Sequence, residues 1–346
     1  MPPSTVRVAV VGAGAFGRNH LRVYRELETA HPGELSLAAL IEPDPSRRSE
    51  LAALYNIPAF ASVDEALHAN DAPNAVSLFN AASVCVPTIH HASVAEQLLT
   101  AGVDVLIEKP FAASLAEADR ILALAHRNQR ILQIGHLERF NPAVTAAAQR
   151  ITRPMFFEAH RLSIFTPRSL DVDVVLDLMI HDLDIVLALT SSAVKEVRAV
   201  GLPVLSPKVD IANVRVEFDS GCVANFTASR VSTEQVRKLR LFQPHEYLSL
   251  DFARQELLTI KVDPTLLAQL TAPSAAETAH PSRGLSLEKL DPPHAEPLRL
   301  ELEDFLTAVR NRTQPRVTGQ AGRAALALAL EINHQIASHA HRAGLA

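Results

Sequence analysis

Apolar positions in the first 135 residues recur as short continuous runs separated by amphipathic stretches. Val6–Val11, Leu35–Ile41, Ala82–Val86, Val103–Ile107 and Ile131–Ile134 have strand length, and runs that are apolar throughout suit strands buried on both faces of a parallel sheet. The stretches between them predict helices at Arg18–Leu27, Pro45–Tyr55, Val63–Ala69, His90–Ala101 and Leu115–Asn128. Strand and helix thus alternate, and right-handed crossovers would make residues 1–135 an α/β domain of the Rossmann type with a doubly wound parallel sheet.

After Asn141-Pro142 the rhythm changes. One apolar helix is predicted from Val174 to Leu189, followed by β-patterned runs at Val194–Gly201, Ala212–Phe218, Val223–Arg230, Val236–Phe242 and Tyr247–Phe252. Short connections such as Asp219-Ser220-Gly221 imply antiparallel pairing. Residues 136–346 are therefore expected to form an α+β domain on a largely antiparallel sheet, serving substrate binding and oligomerisation. Prolines at 264, 273, 281, 292, 293 and 297 predict an irregular excursion over about 263–297. Two helices close the chain: Leu298, Leu302, Phe305, Leu306 and Val309 mark one apolar face, and Gly319–His341 forms the other.

Composition narrows the function classes. A chain of 346 residues suits two domains, and its net charge of -5 carries no basic stripe for nucleic acid. Cys85 and Cys222 form neither a disulfide framework nor a C-x-x-C pair. Met1–Thr5 lead straight into a strand without an apolar leader, and no run of about 18 apolar residues occurs to span a membrane. A cytoplasmic protein with a small-molecule partner is expected.

The chemistry begins in the turn after the first strand. Gly12-Ala13-Gly14-Ala15-Phe16-Gly17 is a G-x-G-x-x-G run between a strand and a helix, the context that gives the pattern its meaning. Gly12 permits the tight turn, Gly14 lets backbone approach a pyrophosphate, and Gly17 lets the helix pack on its strand, with free N–H groups at the helix start for the anion. The second strand ends in Glu42, whose carboxylate can accept hydrogen bonds from ribose hydroxyls and repel a 2′-phosphate. That favours NAD over NADP, while Arg47 and Arg48 close behind work against the preference.

Three further segments stand at element ends where this fold places ligands. Pro87-Thr88-Ile89-His90-His91 follows one strand, and Glu108-Lys109-Pro110 follows another. The Lys109 ammonium could bind a hydroxyl and stabilise a developing alkoxide, although an exposed lysine in a salt bridge is an equally good reading of that segment alone. Asp177 and His181 lie four apart on the second domain's helix, so a carboxylate can orient an imidazole that takes a hydroxyl proton. His90, His91, Asp177 and His181 lack the spacing of a metal-binding motif, and no metal is expected.

Together, the glycine turn, Pro87 to His91, Glu108-Lys109-Pro110 and the Asp177/His181 pair resemble the Gfo/Idh/MocA family of oxidoreductases, as do Leu298 to Phe305 and Pro315-Arg316-Val317. The resemblance covers almost the whole chain. It implies Lys109, Asp177 and His181 as the catalytic set and a nicotinamide dinucleotide held by Gly12, Gly14, Ala15, Phe16, Gly17, Glu42, Pro87, Thr88, His91, Glu108 and Lys109. It also implies homodimers or homotetramers. The family's usual D-x-G-x-H is replaced here by Asp177-Leu178-Met179-Ile180-His181. Within the family, Gly135 to Pro142, His160-Arg161-Leu162 and Asp171 to Val175 are similar to the branch that oxidises UDP-N-acetylglucosamine at its 3-hydroxyl. A nucleotide sugar would need cations and polar groups, for which Arg139, Asn141, Arg161 and Arg168 are candidates. The alternatives are a free sugar, inositol or other polyol as substrate, a dinucleotide-bound sensor without chemistry, or reduction of an unsaturated or carbonyl substrate.

Overall fold

The computed structural model describes residues 5–69, 77–165, 172–262 and 285–344. The chain forms two compact units, residues 1–137 with 296–327 and residues 138–295 with 328–346.

The first unit carries a six-stranded sheet of β1 (Val6–Val11), β2 (Leu35–Ile41), β3 (Ala59–Phe60), β4 (Ala81–Val84), β5 (Asp104–Glu108) and β6 (Leu132–Gly135). All neighbours pair in parallel, in the order β3-β2-β1-β4-β5-β6. The order reverses between β1 and β4, so a crevice opens beyond their carboxyl ends. The strands are joined by α1 (Ala15–Ala30), α2 (Pro45–Tyr55), α3 (Val63–His68), α4 (His91–Thr100) and α5 (Leu115–Arg127), with a 3₁₀ turn at Thr88–His90 before α4. Local chemistry fixes the helix starts. Asp44 accepts from Arg47 N at 2.7 Å with Pro45 in the first helical turn, and Ser62 and Ser114 accept from the amides of Glu65 and Glu117.

The core of this unit includes Val8, Val10, Leu21, Tyr24, Leu37 and Leu106, all at most 2 % exposed. Tyr24 satisfies its hydroxyl against Ser83 Oγ at 2.7 Å. The same core takes in Leu302 and Phe305 of α8 (Pro297–Asn311), each fully buried, which contributes about 2 kcal/mol per side chain. This corrects the expected domain division: α8 belongs with residues 1–137. Amphipathic spacing shows that a face is buried but not which surface buries it.

The second unit contains α6 (Pro142–Ala148), β7 (Phe156–Ile164), a π-helical turn at Val175–Met179, α7 (Ile180–Thr190) and β8 (Val194–Leu202). It continues with β9 (Ile211–Phe218), β10 (Val223–Ser232), β11 (Val236–Gln243), β12 (Glu246–Asp251), β13 (Glu256–Val262) and β14 (Leu285–Leu290). The eight strands run β14-β13-β12-β11-β7-β10-β9-β8, antiparallel except where β7 and β10 pair in parallel. One face buries Phe157, Ala159, Val214, Phe226 and Leu241, and the π turn packs on β10. The other face carries a row in cross-strand register, Phe156, Phe242, Tyr247, Ile260 and Leu287. The rings of Phe156, Phe242 and Tyr247 lie 5.6 and 5.0 Å apart in sequence along it.

Part of the expected irregular excursion is regular. Leu285–Leu290 is an edge strand paired with β13, and α8 begins at Pro297, while residues 263–284 lie outside the described residues. The last helix, α9 (Gly319–Arg342), is divided between the units at Ala327 and Leu328. No helix among the described residues is long and apolar enough to cross a membrane.

Candidate active site

The glycine turn is built by contacts that admit no side chain at two of its three glycines. Gly12 has a φ of +87°, and a Cβ there would lie 2.9 Å from the backbone of Cys85 and Val86. A Cβ on Gly17 would lie 1.9 Å from the Gly12 carbonyl oxygen, so helix and turn touch backbone to backbone. Gly14 differs: its Cβ would meet nothing within 4 Å. Gly14 is also the N-cap of α1, and no side chain caps that helix start. Uncapped amides beside open space are the features an anion-binding turn requires.

That space belongs to a cleft of about 700 Å³ between Val11–Phe16, Ile41–Pro43, Ala61–Val63 and Cys85–Pro87. Arg47, His90, Ser93, Val94 and Gln97 also line it. It lies where the sheet order reverses, and its size fits a dinucleotide. Glu42, 2 % exposed, spans its inner wall: Oε2 accepts from Ala13 N at 2.7 Å and Oε1 from Asp44 N at 3.0 Å. The carboxylate therefore braces the glycine turn as well as facing the cleft. Arg47 Nη1 lies 3.2 Å from Glu42 Oε1, and Arg48 donates to the carbonyls of Glu42 and Pro43. Both arginines thus bind the strand end.

Several residues expected at the cofactor lie elsewhere. His91 is 1 % exposed, with Nδ1 2.9 Å from the Pro110 carbonyl and Nε2 2.9 Å from that of Val86. Burial lowers its pKa against the opposing pull of those carbonyls. Glu108 turns inward to His20, 2.9 Å from Nε2, and Thr88 is not among the cleft-lining residues. In their place the 3₁₀ turn presents His90, and α4 presents Ser93, Val94 and Gln97. Their i, i+3, i+4, i+7 spacing was the readable signal of a face turned to a ligand. Cys85 lines the cleft as a thiol, because burial and then the Glu108 charge push its pKa up.

Lys109 follows β5, half-buried, and its bond to Pro110 is cis. Asp177 and His181 are half-buried in the second unit. Asp177 lies in the π turn and His181 in the first turn of α7, where a single α-helix was expected. At about 4.4 residues per π turn a spacing of four still leaves both on one side of the helix, and single π turns are frequent at functional sites. The turn is anchored by Asp173, whose Oδ1 accepts from the amides of Val175 and Leu176 at 3.0 Å and whose Oδ2 accepts from Asn333 at 3.0 Å.

The polar residues expected to meet a nucleotide sugar are committed within their own unit. Arg161, 4 % exposed on the inward side of β7, forks onto Asp182 at 2.9 and 2.8 Å and reaches Glu138 at 3.0 Å. It also stacks on Phe252, 5.1 Å from the ring centroid. Asn141 caps α6 through Ala143 N and donates to Glu138 and the Phe252 carbonyl. Arg139 faces Asp184, with Nε 3.6 Å from Oδ2. A bidentate buried pair fixes geometry, so Arg161 ties α7, at the residue after His181, to the turn preceding α6. Loss of one partner from such a pair typically costs about 3–5 kcal/mol. Arg168 lies outside the described residues.

Comparison with known proteins agrees with this architecture along nearly all of the chain. Residues 6–136 match the oxidoreductase family model of NAD-binding Rossmann fold, and residues 144–242 match the GFO/IDH/MocA C-terminal domain. The UDP-N-acetylglucosamine 3-dehydrogenase of Acidithiobacillus ferrooxidans is 36% identical over 328 residues, 94% of this chain and 96% of that protein. The chain belongs to the Gfo/Idh/MocA family of oxidoreductases. A solved structure of the A. ferrooxidans enzyme superposes with a TM-score of 0.83 at 35% identity, covering 96% of this chain and 98% of that one. An inositol 2-dehydrogenase from Leifsonia xyli subsp. xyli is 30% identical over 200 residues, 56% of each chain. A levoglucosan dehydrogenase in complex with NADH and levoglucosan shares the fold at a TM-score of 0.80 and 17% identity. The family's relatives named here are dehydrogenases, and the chain is accordingly an oxidoreductase with a dinucleotide-binding Rossmann domain.

Proposed function

We propose that this protein is an NAD-dependent dehydrogenase that oxidises the 3-hydroxyl of UDP-N-acetylglucosamine. The observation that carries the substrate is likeness over 94% of the chain to a dehydrogenase of that name, against about half for an inositol enzyme. The cofactor reading rests on the cleft. Glu42 faces the position of a ribose, and Arg47 and Arg48, the cations that could take a 2′-phosphate, are drawn onto the Glu42 carboxylate and the neighbouring carbonyls.

The glycine turn and the first amides of α1 hold the pyrophosphate, with Glu42 at the ribose hydroxyls and Pro87 and His90 along the wall. When bound, the nicotinamide supplies the acceptor for a hydride from the alcohol carbon. His181 takes the hydroxyl proton, Asp177 orients the imidazole, and the Lys109 ammonium stabilises negative charge developing on the oxygen. The aromatic row on the second sheet, half-buried Phe156 and Tyr247 with exposed Phe242 and Leu287, is covered by another copy in a homo-oligomer. Two unpaired thiols suit the reducing cytoplasm.

The test is NADH formation with purified protein, NAD and a panel of UDP-N-acetylglucosamine, UDP-glucose, glucose and inositol. Turnover of UDP-N-acetylglucosamine alone is expected. Turnover of inositol or glucose in its place would move the assignment to a polyol or free-sugar dehydrogenase, and NAD binding without any turnover would support a sensor.

A further inference from the structure

Lys109 stands between two residues that are each held by a buried histidine. On its N-terminal side the Glu108 carboxylate lies 2.9 Å from His20 Nε2, and on its C-terminal side the Pro110 carbonyl lies 2.9 Å from His91 Nδ1. Neither histidine has a part in the chemistry proposed above.

His20 lies on α1, wholly buried, with its ring 5.6 Å from Phe16 and 6.2 Å from Tyr24. Its Nδ1 has no hydrogen-bonding partner among the described residues. A carboxylate only accepts, so the bond runs from His20 Nε2–H to Glu108. Glu108 is also confined from behind, because a Cβ on Gly135 would lie 2.8 Å from its carboxyl group. His91 starts α4 and stands between the turns after β4 and β5, its Nε2 2.9 Å from the Val86 carbonyl; the tautomer with its proton on Nδ1 donates to Pro110 and so holds the turn after β5.

We propose that His20 and His91 form a clamp that fixes the backbone on both sides of Lys109 and so aims its ammonium; the inference rests on the reading of Lys109 as the residue acting on the alcohol oxygen. Lysine carries a flexible four-carbon stem, so its head can be placed only if its root is held. A displacement of about 1 Å at a reacting group can cost about 100-fold in rate. Both histidines are positioning residues.

The experiment compares His91→Leu with His91→Asn and His20→Leu with His20→Gln, since Asn and Gln present a donor near the Nδ1 and Nε2 positions respectively. The first readout is the rate at which a small acylating reagent labels Lys109 in full-length protein without added cofactor. It is followed by peptide mass spectrometry with exposed Lys195 as reference. In the leucine variants Lys109 labelling is expected to rise at least about fivefold with Lys195 unchanged, as a released segment gains access to solvent. In the same variants kcat falls about 10- to 100-fold while the NAD dissociation constant stays within about twofold. The asparagine and glutamine variants recover most of both changes.

Wild-type labelling and kcat in both leucine variants, or asparagine and glutamine variants as impaired as leucine, would overturn the clamp. The His91 pair carries the comparison if His20→Leu does not fold. Full turnover by Lys109→Ala would instead defeat the catalytic reading of Lys109, a result the labelling experiment does not depend on.

Discussion

Gly17→Ala is expected to abolish dinucleotide binding and to lower thermal stability at the same time. The added Cβ would sit 1.9 Å from the Gly12 carbonyl oxygen, a contact between two backbones that no rotamer change relieves. Either α1 moves away from β1 or the turn opens, and both withdraw the amides from the anion. Affinity for NAD, measured by calorimetry, should fall at least about 100-fold, or about 2.7 kcal/mol. Gly14→Ala supplies the contrast. Its Cβ meets nothing within 4 Å, so the variant should melt like the wild type yet bind NAD more weakly, because the methyl group occupies the approach of the pyrophosphate. Equal NAD affinity in Gly17→Ala and the wild type would contradict the placement of the cofactor in this cleft.

Lys109→Ala and His181→Ala are expected to retain NAD binding and lose turnover. Neither residue lines the cleft assigned to the dinucleotide, so calorimetric affinity should stay within about twofold. Removal of a general base or an oxyanion-stabilising cation typically costs about 100- to 10 000-fold in kcat. Asp177→Asn, which retains shape but removes the charge proposed to orient the imidazole, should reduce kcat with NAD affinity unchanged. Turnover at the wild-type rate in either alanine variant would remove that residue from the mechanism.

Much of the first unit was legible because its strands are buried on both faces and its helices on one. The strand at Leu35–Ile41 and the helix at Pro45–Tyr55 have the bounds read from the pattern, and the glycine turn leads to the cleft. What failed there was direction. Glu108 and His91 sit at the ends expected of ligand-binding residues, but a strand end offers an inward and an outward side, and sequence does not distinguish them. The inward partner of Glu108, His20, lies 88 residues away.

The second unit was less legible for a related reason. β7 carries no clear strand period although Phe157 and Ala159 alternate on its buried side, because the next inward position is Arg161. A cation in that register reads as solvent-facing until Asp182 and Glu138 are seen to meet it. In sequence the same Arg161 reads as a cation for a nucleotide sugar. The edge strand Leu285–Leu290 is exposed at nearly every position, so burial left no period to read.

The central claim is oxidation at a defined carbon, and it is tested most directly with UDP-N-acetylglucosamine deuterated at C3 of the sugar and unlabelled NAD. The account predicts deuterium at C4 of the reduced nicotinamide, seen by proton NMR, with a 3-keto sugar nucleotide as product. Reduced cofactor without deuterium would place the reaction at another carbon, and no reduction of NAD by this substrate would contradict the assignment.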